Sequence, residues 1–361
     1  LYLAQILFIL AVFVSSIYWI VLYGRIHFSK EVVRYGEKRN KSIVIAGKDE
    51  YVNIQQNLPF LADLQDITEI IFVNDHSSDD SNVVLKQLAA KNQMIKIIIP
   101  SKNIPGKKLG LTEGIEHSNT NIIVLTDADC KPADPKWAQI MGSYLDDDHR
   151  LVLGYGPLKK TTGWVNAFSR FETIITAIQY FGFALLKIPY MGVGRNMAFR
   201  KDLFKDVNGY NDHMHIPSGD DDLLVQQAAK NTNIRISLDR DSFVYSDSKA
   251  TWNEYTAQKK RHMAVSTSYS LMHQVLLSIH PFLHILSFML GVFLLFNGCF
   301  TLVLSVMVIR WIVLMITGYS SFKRLDGKDL FLFIPIFDIM LIPYYLYFAG
   351  AAFNPKNAKW S

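Results

Sequence analysis

Cysteine is nearly absent. The 361 residues hold only Cys130 and Cys299, far apart and in unlike surroundings, which fits neither a disulfide framework nor the paired spacing of a zinc site. The working part is therefore expected to face a reducing cytosol. Charge is also scarce: 19% of residues are Asp, Glu, Lys or Arg, against 50% hydrophobic and 13% aromatic. That is too apolar for a disordered chain and unusual for a wholly water-soluble one. The net charge of +5 is mild, and no stripe of basic residues interleaved with aromatics marks a nucleic-acid binder. Internal repeats, low-complexity tracts and flexible linkers are missing from the middle of the chain, which reads as one domain.

The gaps in charge locate the membrane. No charged residue occurs from Leu1 to Gly24, and roughly 20 apolar residues in a helix cross the hydrocarbon layer. The stretch closes on Trp19, Tyr23 and Arg25 rather than on small residues, so it is expected to be a transmembrane anchor and not a cleaved signal peptide. Between His262 and Lys323 the only formal charge is Arg310. This region is too long for one helix and reads as two spans, Leu277 to Leu295 and Phe300 to Ile316, turning near Asn297 and Gly298. A fourth candidate, Leu330 to Phe353, contains Pro335, Asp338 and Pro343, leaving open a full span or a broken or interfacial helix. Arg310 and Asp338 are charges at membrane depth, with a functional role and simple pairing equally open. Arg25, Lys30, Arg34, Lys38, Arg39 and Lys41 follow the first span against only Glu31 and Glu37, which assigns the middle of the chain to the cytoplasm. Lys323, Arg324 and Lys328 agree, whereas four full spans would leave Lys356 and Lys359 outside. The expected organisation is a transmembrane helix at 1–24, a cytoplasmic domain at 25–270 and a membrane region at 271–361 with two or three further helices. The protein would be integral to a bacterial-type inner or plasma membrane.

Between the spans, β-branched runs at Ser42 to Ala46, Ile70 to Val73, Ile95 to Ile99 and Ile122 to Leu125 alternate with longer helical segments. This is the pattern of an α/β fold with a mostly parallel sheet, whose ligand binds beyond the carboxyl ends of the strands. Acids recur there: Asp49 and Glu50, then Asp75 and Asp79, then Asp127 and Asp129. On an extended segment Asp127 and Asp129 point the same way, and two carboxylates with a diphosphate suit Mg²⁺ or Mn²⁺. Gly192 to Asn196 is a turn or a place of close backbone approach. Asp220, Asp221 and Asp222 open an apolar helix from Leu223 to Ala229; one of them caps it, and another could accept a proton from an attacking hydroxyl. Gln258 to His262 is a basic run beside the membrane, suited to anionic headgroups. The aromatics between Trp164 and Tyr190, among them Phe168, Phe171, Tyr180, Phe181 and Phe183, read as core, with a headgroup-level guide for a lipid-linked acceptor as the alternative.

In this order the pieces resemble the membrane-bound family 2 glycosyltransferases of GT-A fold, in the branch that includes cellulose, chitin and hyaluronan synthases. The resemblance runs from about Ser42 to His262. It rests on Val73-Asn74-Asp75-His76-Ser77-Ser78-Asp79, on Gly106-Lys107-Lys108-Leu109-Gly110-Leu111, on Asp127-Ala128-Asp129, on Gly219-Asp220-Asp221-Asp222-Leu223 at the Glu-Asp motif, and on Gln258-Lys259-Lys260-Arg261-His262 at the Gln-X-X-Arg-Trp motif. It implies a GT-A domain flanked by transmembrane helices. Asp49, Asp75, Lys107 or Lys108, and Asp127 would bind a UDP- or GDP-sugar; Asp129 with Asp127 would hold Mg²⁺ or Mn²⁺. Asp221, supported by Asp220, would act as base. Gly194, Asn196, Gln258 and Arg261 would line the acceptor and diphosphate end. Three departures stand out: Asp49 for the usual Asn, Asp220 for the usual Glu, and His262 for the tryptophan that stacks on a growing polymer. The implied activity is inverting, metal-dependent sugar transfer to a lipid-linked or polysaccharide acceptor at the cytoplasmic membrane face, in contact with membrane lipids and with room for a partner membrane subunit. The alternative is a catalytically silent nucleotide-sugar-binding subunit of a glycan assembly or export complex.

Overall fold

The structure, a computed structural model, describes residues 1–30, 40–101 and 106–350. Glu31, Arg34, Glu37, Lys38 and Arg39 of the basic cluster, residues 351–353 of the fourth apolar segment, and Lys356 and Lys359 lie outside the described residues.

Helix α1 (Tyr2–Phe28) leads into an α/β domain: β1 (Lys41–Gly47), α2 (Tyr51–Ala62), β2 (Glu69–Asn74), α3 (Ser81–Lys91), β3 (Ile95–Ile98), α4 (Lys107–Glu116) and β4 (Ile122–Leu125). These four strands are parallel, in the order β3-β2-β1-β4, with Ile43 opposite Ile70 and Ser42 opposite Ile123. Every residue of β1 and β2 is buried, because helices cover both faces; hence the unbroken Ile and Val runs. After a two-residue strand β5 (Lys131–Pro132) and α5 (Trp137–Ser143) come β6 (Leu151–Leu153), α6 (Trp164–Leu185) and β7 (Met197–Arg200). Strand β7 enters antiparallel between β4 and β6, and β8 (Ile234–Ile236) closes the seven-stranded sheet parallel to β6. The sheet is mixed and mostly parallel, as expected. Helices α7 (Lys201–Asp206), α8 (Asp222–Ala228) and α9 (Trp252–Met263), with strand β9 (Val244–Tyr245) paired to β5, complete the domain. Three more helices follow: α10 (Leu271–Phe296), α11 (Phe300–Arg324) and α12 (Ile334–Ala349).

Among the described residues, four segments are long and apolar enough to cross a membrane: Tyr2–Phe28, Leu271–Phe296, Phe300–Arg324 and Lys328–Ala349. Helices α10 and α11 outrun the apolar stretches read from sequence, and Ser270 caps α10 through its hydroxyl. The domain and the membrane helices share one apolar core, in which Trp19, Leu22 and Ile26 of α1 join Phe171 and Tyr180 of α6, Phe322 of α11 and Phe337 of α12. Five aromatics of α6 are therefore packing residues: Phe168, Phe171, Tyr180, Phe181 and Phe183 are all buried, whereas Trp164 at the start of the helix is exposed.

Three charges singled out in the sequence, Lys41, Arg310 and Asp338, are accounted for by pairing. Lys41 is buried in β1 and ion-paired with Asp66, so it is not available to headgroups. Arg310 lies 3.0 Å from Asp338, donates to Ser15 Oγ at 2.6 Å, and shares Asp338 with the indole N–H of Trp311 at 2.9 Å. Both charged groups are buried among α1, α11 and α12, so they tie helices together, as buried charges must to offset their desolvation.

Helix α12 hugs the domain along its length. Phe337 meets Phe171 at 4.7 Å and Phe168 at 6.1 Å between ring centroids. Farther on, the Tyr344 hydroxyl donates to Glu172 at 3.3 Å, and the Lys260 ammonium sits 4.9 Å from the Tyr347 ring centroid.

Candidate active site

Of the acids at the strand exits, Glu50, Asp127 and Asp129 join those at the start of α8 in one cleft of about 920 Å³, lined also by Lys107, Gly194, Gln258 and Arg261, whereas Asp49, Asp75 and Asp79 stand outside its wall. Asp127 and Asp129 leave β4 on the same side. Their oxygens and the Cys130 sulfur fall within 4.8 Å of one another. The Cys130 S–H donates to Asp129 Oδ1 at 3.1 Å, and burial, then Asp129 and Asp127, push the thiol pKa well up. The thiol thus stays neutral and braces Asp129. Two hard carboxylates remain as donors, which suits Mg²⁺ or Mn²⁺ rather than a thiolate-seeking metal.

Lys107, at the start of α4, bridges the two halves of the site, with its ammonium 3.0 Å from Asp127 Oδ1 and 3.2 Å from Asp220 Oδ2. Burial works against its charge, but Asp127, Asp220 and Asp221 outweigh burial and raise its pKa. Lys108 turns the opposite way. Its ammonium is buried against His213 Nδ1 (2.8 Å) and the carbonyls of His213 (2.9 Å) and Ile216 (3.0 Å). It pins the loop before α8, and the choice between the two lysines falls on Lys107.

The three consecutive acids divide their tasks. Asp220 faces Lys107. Asp221 caps α8, accepting from Asp222 N at 3.0 Å and, from across the cleft, from Gly194 N at 2.8 Å. Burial, reinforced by Asp220, pushes its pKa up to about 6 against the pull of Lys107 and these N–H donors. Asp222 is buried on the Tyr269 hydroxyl. The fit at 194 is close: a Cβ there would lie 3.2 Å from Asp220 Oδ2, tight enough to shift that carboxylate slightly, and in ordinary contact, 3.6 Å, with both Asp221 Oδ2 and Lys107 Nζ. Gly194→Ala is expected to displace that carboxylate and lower turnover about tenfold, with the thermal midpoint of the detergent-purified protein little changed; kcat and a melting curve check this.

Other sequence candidates fall differently. Asn196 is not a ligand of the cleft: it is fully buried, accepts from Trp137 Nε1 at 2.9 Å and donates to the carbonyls of Tyr155 and Ser242 at 2.7 and 2.8 Å. With its amide saturated, it holds the glycine loop to β6 and β9. Asp49 is exposed, at φ 57°, and accepts from Ser78 N, Ser78 Oγ and Asp79 N at 2.7, 3.1 and 3.3 Å. It braces the exit of β1 against that of β2, and those bonds hold its pKa low. Asp75 is buried at the end of β2; one oxygen accepts from Gly106 N at 2.8 Å, and Oδ1 has no hydrogen-bond partner among the described residues. Burial raises its pKa. The sequence reading missed the ion pair of Glu172 on α6 with Lys259 on α9, which joins the cleft wall. Glu172, Ile175, Thr176 and Gln179 all line it; their helical spacing was a signal, masked by the aromatics between them.

Residues 42–207 match the family model described as Glycosyl transferase family 2. The chain is 27% identical over 201 residues to the "Probable glycosyltransferase YdaM" of Bacillus subtilis (strain 168), a match covering 51% of this chain and 47% of that one. It is 34% identical over 92 residues to the "Uncharacterized glycosyltransferase YkcC" of the same organism, covering 24% and 28%. The chain thus spans about half the length of the first relative or less. Among solved structures, the mannosyltransferase PcManGT from Pyrobaculum calidifontis, in complex with GDP-Man and Mn²⁺, superposes with a TM-score of 0.63 over 97% of this chain and 96% of that one, at 14% identity. The shared architecture is the GT-A fold.

Proposed function

We propose that the chain, whose residues 42–207 match the Glycosyl transferase family 2 model, transfers a sugar, with inversion, from a UDP- or GDP-sugar to an acceptor at the cytoplasmic face of a membrane. The observation that carries this reading is the single cleft in which Lys107, Asp127, Asp129 and Asp221 face residues of α10 and α12. The mannosyltransferase that shares the fold binds GDP-Man and Mn²⁺, which supports a nucleotide-sugar donor and a divalent cation here.

In this reading Oδ1 of Asp75, which has no partner among the described residues, accepts from an N–H of the nucleobase. Asp127 and Asp129 are the residues that would hold the cation. When bound, Mg²⁺ or Mn²⁺ supplies electrostatic stabilisation of the departing diphosphate. Lys107 and Arg261 add positive charge at the same end. Asp221, with its raised pKa, takes the proton of the attacking hydroxyl. The new C1–O bond forms as the C1–O bond to phosphate breaks, and the electron pair leaves with the nucleoside diphosphate. A single displacement from the face opposite the leaving group inverts the anomeric centre. Incubating the purified full chain with UDP-Glc, UDP-GlcNAc and GDP-Man, with and without Mn²⁺ and with a membrane lipid extract as acceptor, tests this; Mn²⁺-dependent release of nucleoside diphosphate is expected, and its absence with every donor refutes the reading.

The same reading gives three spans, α1, α10 and α11, with α12 lying along the membrane face. Its support is the contact of α12 with α6 and α9 from Phe337 to Tyr347. In a Cys299→Ser background, Gly350→Cys is expected to react with a membrane-impermeant maleimide only from the cytoplasmic side. Labelling from the outer face would mean a fourth full span.

A further inference from the structure

The cleft continues past the carboxylates between two helices. On α10 its wall is Gln274, Leu277, Ser278, Pro281, Phe282 and Ile285, and on α12 it is Leu341, Tyr344, Tyr345, Phe348 and Ala349. Both sets recur at three- and four-residue intervals, so each is one continuous helix face. Polarity falls along α10, from Gln274 and Ser278 near the domain to Phe282 and Ile285 farther on. Phe282 lines the cleft and is also 65% exposed on its outer side, so the apolar end opens sideways where lipid would lie.

Resting on the transferase reading above, we propose that this apolar end binds the hydrocarbon chain of an amphiphilic acceptor, which enters from the bilayer between α10 and α12 and carries a neutral hydroxyl head to Asp221. Continuity with the catalytic cleft selects the occupant: a chain seated against Phe282 and Ile285 points its head at the acids. A growing polymer is disfavoured because the interior of α1, α10 and α11 is filled by Phe8, Leu294, Val303 and Met307 and by the Arg310 and Asp338 pair. The head group follows from the base rather than from net charge: Glu172 is paired with Lys259 and Asp220 with Lys107, which leaves Asp221 as the carboxylate placed to take a proton, and a phosphate nucleophile has no need of such a base. The hydroxyl proton passes to Asp221 as its oxygen bonds to C1 and the nucleoside diphosphate departs.

The test uses the full chain in nanodiscs with butyl and dodecyl β-glucoside, dioleoylglycerol, a C55 polyprenyl phosphate and cellobiose as acceptors, and a diazirine-bearing diacylglycerol as a turnover-independent probe. Expected are transfer to dodecyl glucoside or dioleoylglycerol in preference to butyl glucoside and cellobiose, and cross-links on α10 and α12. Phe282→Trp, at an exposed position that tolerates bulk, and Ile285→Trp are each expected to cut the dodecyl-to-butyl transfer ratio about tenfold and to reduce cross-linking. Transfer to polyprenyl phosphate alone overturns the hydroxyl head; an unchanged chain-length ratio in both variants overturns the apolar subsite. If no donor is turned over, the transferase reading fails separately, and cross-links absent from α10 and α12 still overturn the subsite.

Discussion

Asp221→Asn is expected to lower sugar transfer by roughly 10³-fold, within the range that loss of a positioned general base produces, while the protein still inserts in the membrane and binds donor. The amide keeps the shape of the carboxylate and can still cap α8, but it cannot take a proton. The pH profile supplies the second readout. A base works only when ionised, and burial with Asp220 nearby pushes the Asp221 pKa up to about 6, so wild-type turnover should rise with pH through that value and level off above it. The residual activity of the Asn variant should lack this inflection. Asp222→Asn is the control for register: its carboxylate is buried on Tyr269, so the change should lower stability and leave the inflection in place. Full activity in Asp221→Asn removes that residue from the chemistry.

Asp129→Ala should be comparably severe, roughly 10³-fold, the rate equivalent of about 4 kcal/mol of lost transition-state stabilisation. Asp127 has Lys107 at 3.0 Å to share its charge, whereas Asp129 is an exposed carboxylate braced, among the described residues, by the Cys130 thiol at 3.1 Å. Removing it takes away the oxygen donor with no competing ammonium. Titrating Mn²⁺ into the EDTA-treated protein should show half-saturation rising at least about tenfold in the variant, and unchanged Mn²⁺ binding refutes the assignment. A variant that binds Mn²⁺ normally yet fails to turn over would place Asp129 elsewhere in the mechanism.

Much of this was legible in the chain. Buried parallel strands announce themselves as short β-branched runs because helices cover both their faces, and membrane helices as long uncharged runs because lipid satisfies no polar group. The acids at 127 and 129 could be placed after the fourth strand because strand exits are where such a sheet binds ligand. Consecutive helical residues, however, point about 100° apart, so nothing local could say that Lys107 rather than Lys108 enters the cleft; the packing of α4 on the sheet decides it. Asn196 looked like a cleft residue because its partners Trp137, Tyr155 and Ser242 are distant in sequence.

The sequence by itself determined the four parallel strands β1 to β4, but not β5 to β9, together with the segments that avoid water and the chemical groups available, since these follow from period, hydropathy and residue type over a few turns of chain. Tertiary structure alone decided the pairing of Glu172 with Lys259, the burial of Arg310 on Asp338, the division of tasks among the three acids and the course of α12 along the domain. Each of these depends on groups brought together by packing, and the free energy of burying or pairing a charge is set by its neighbours in space.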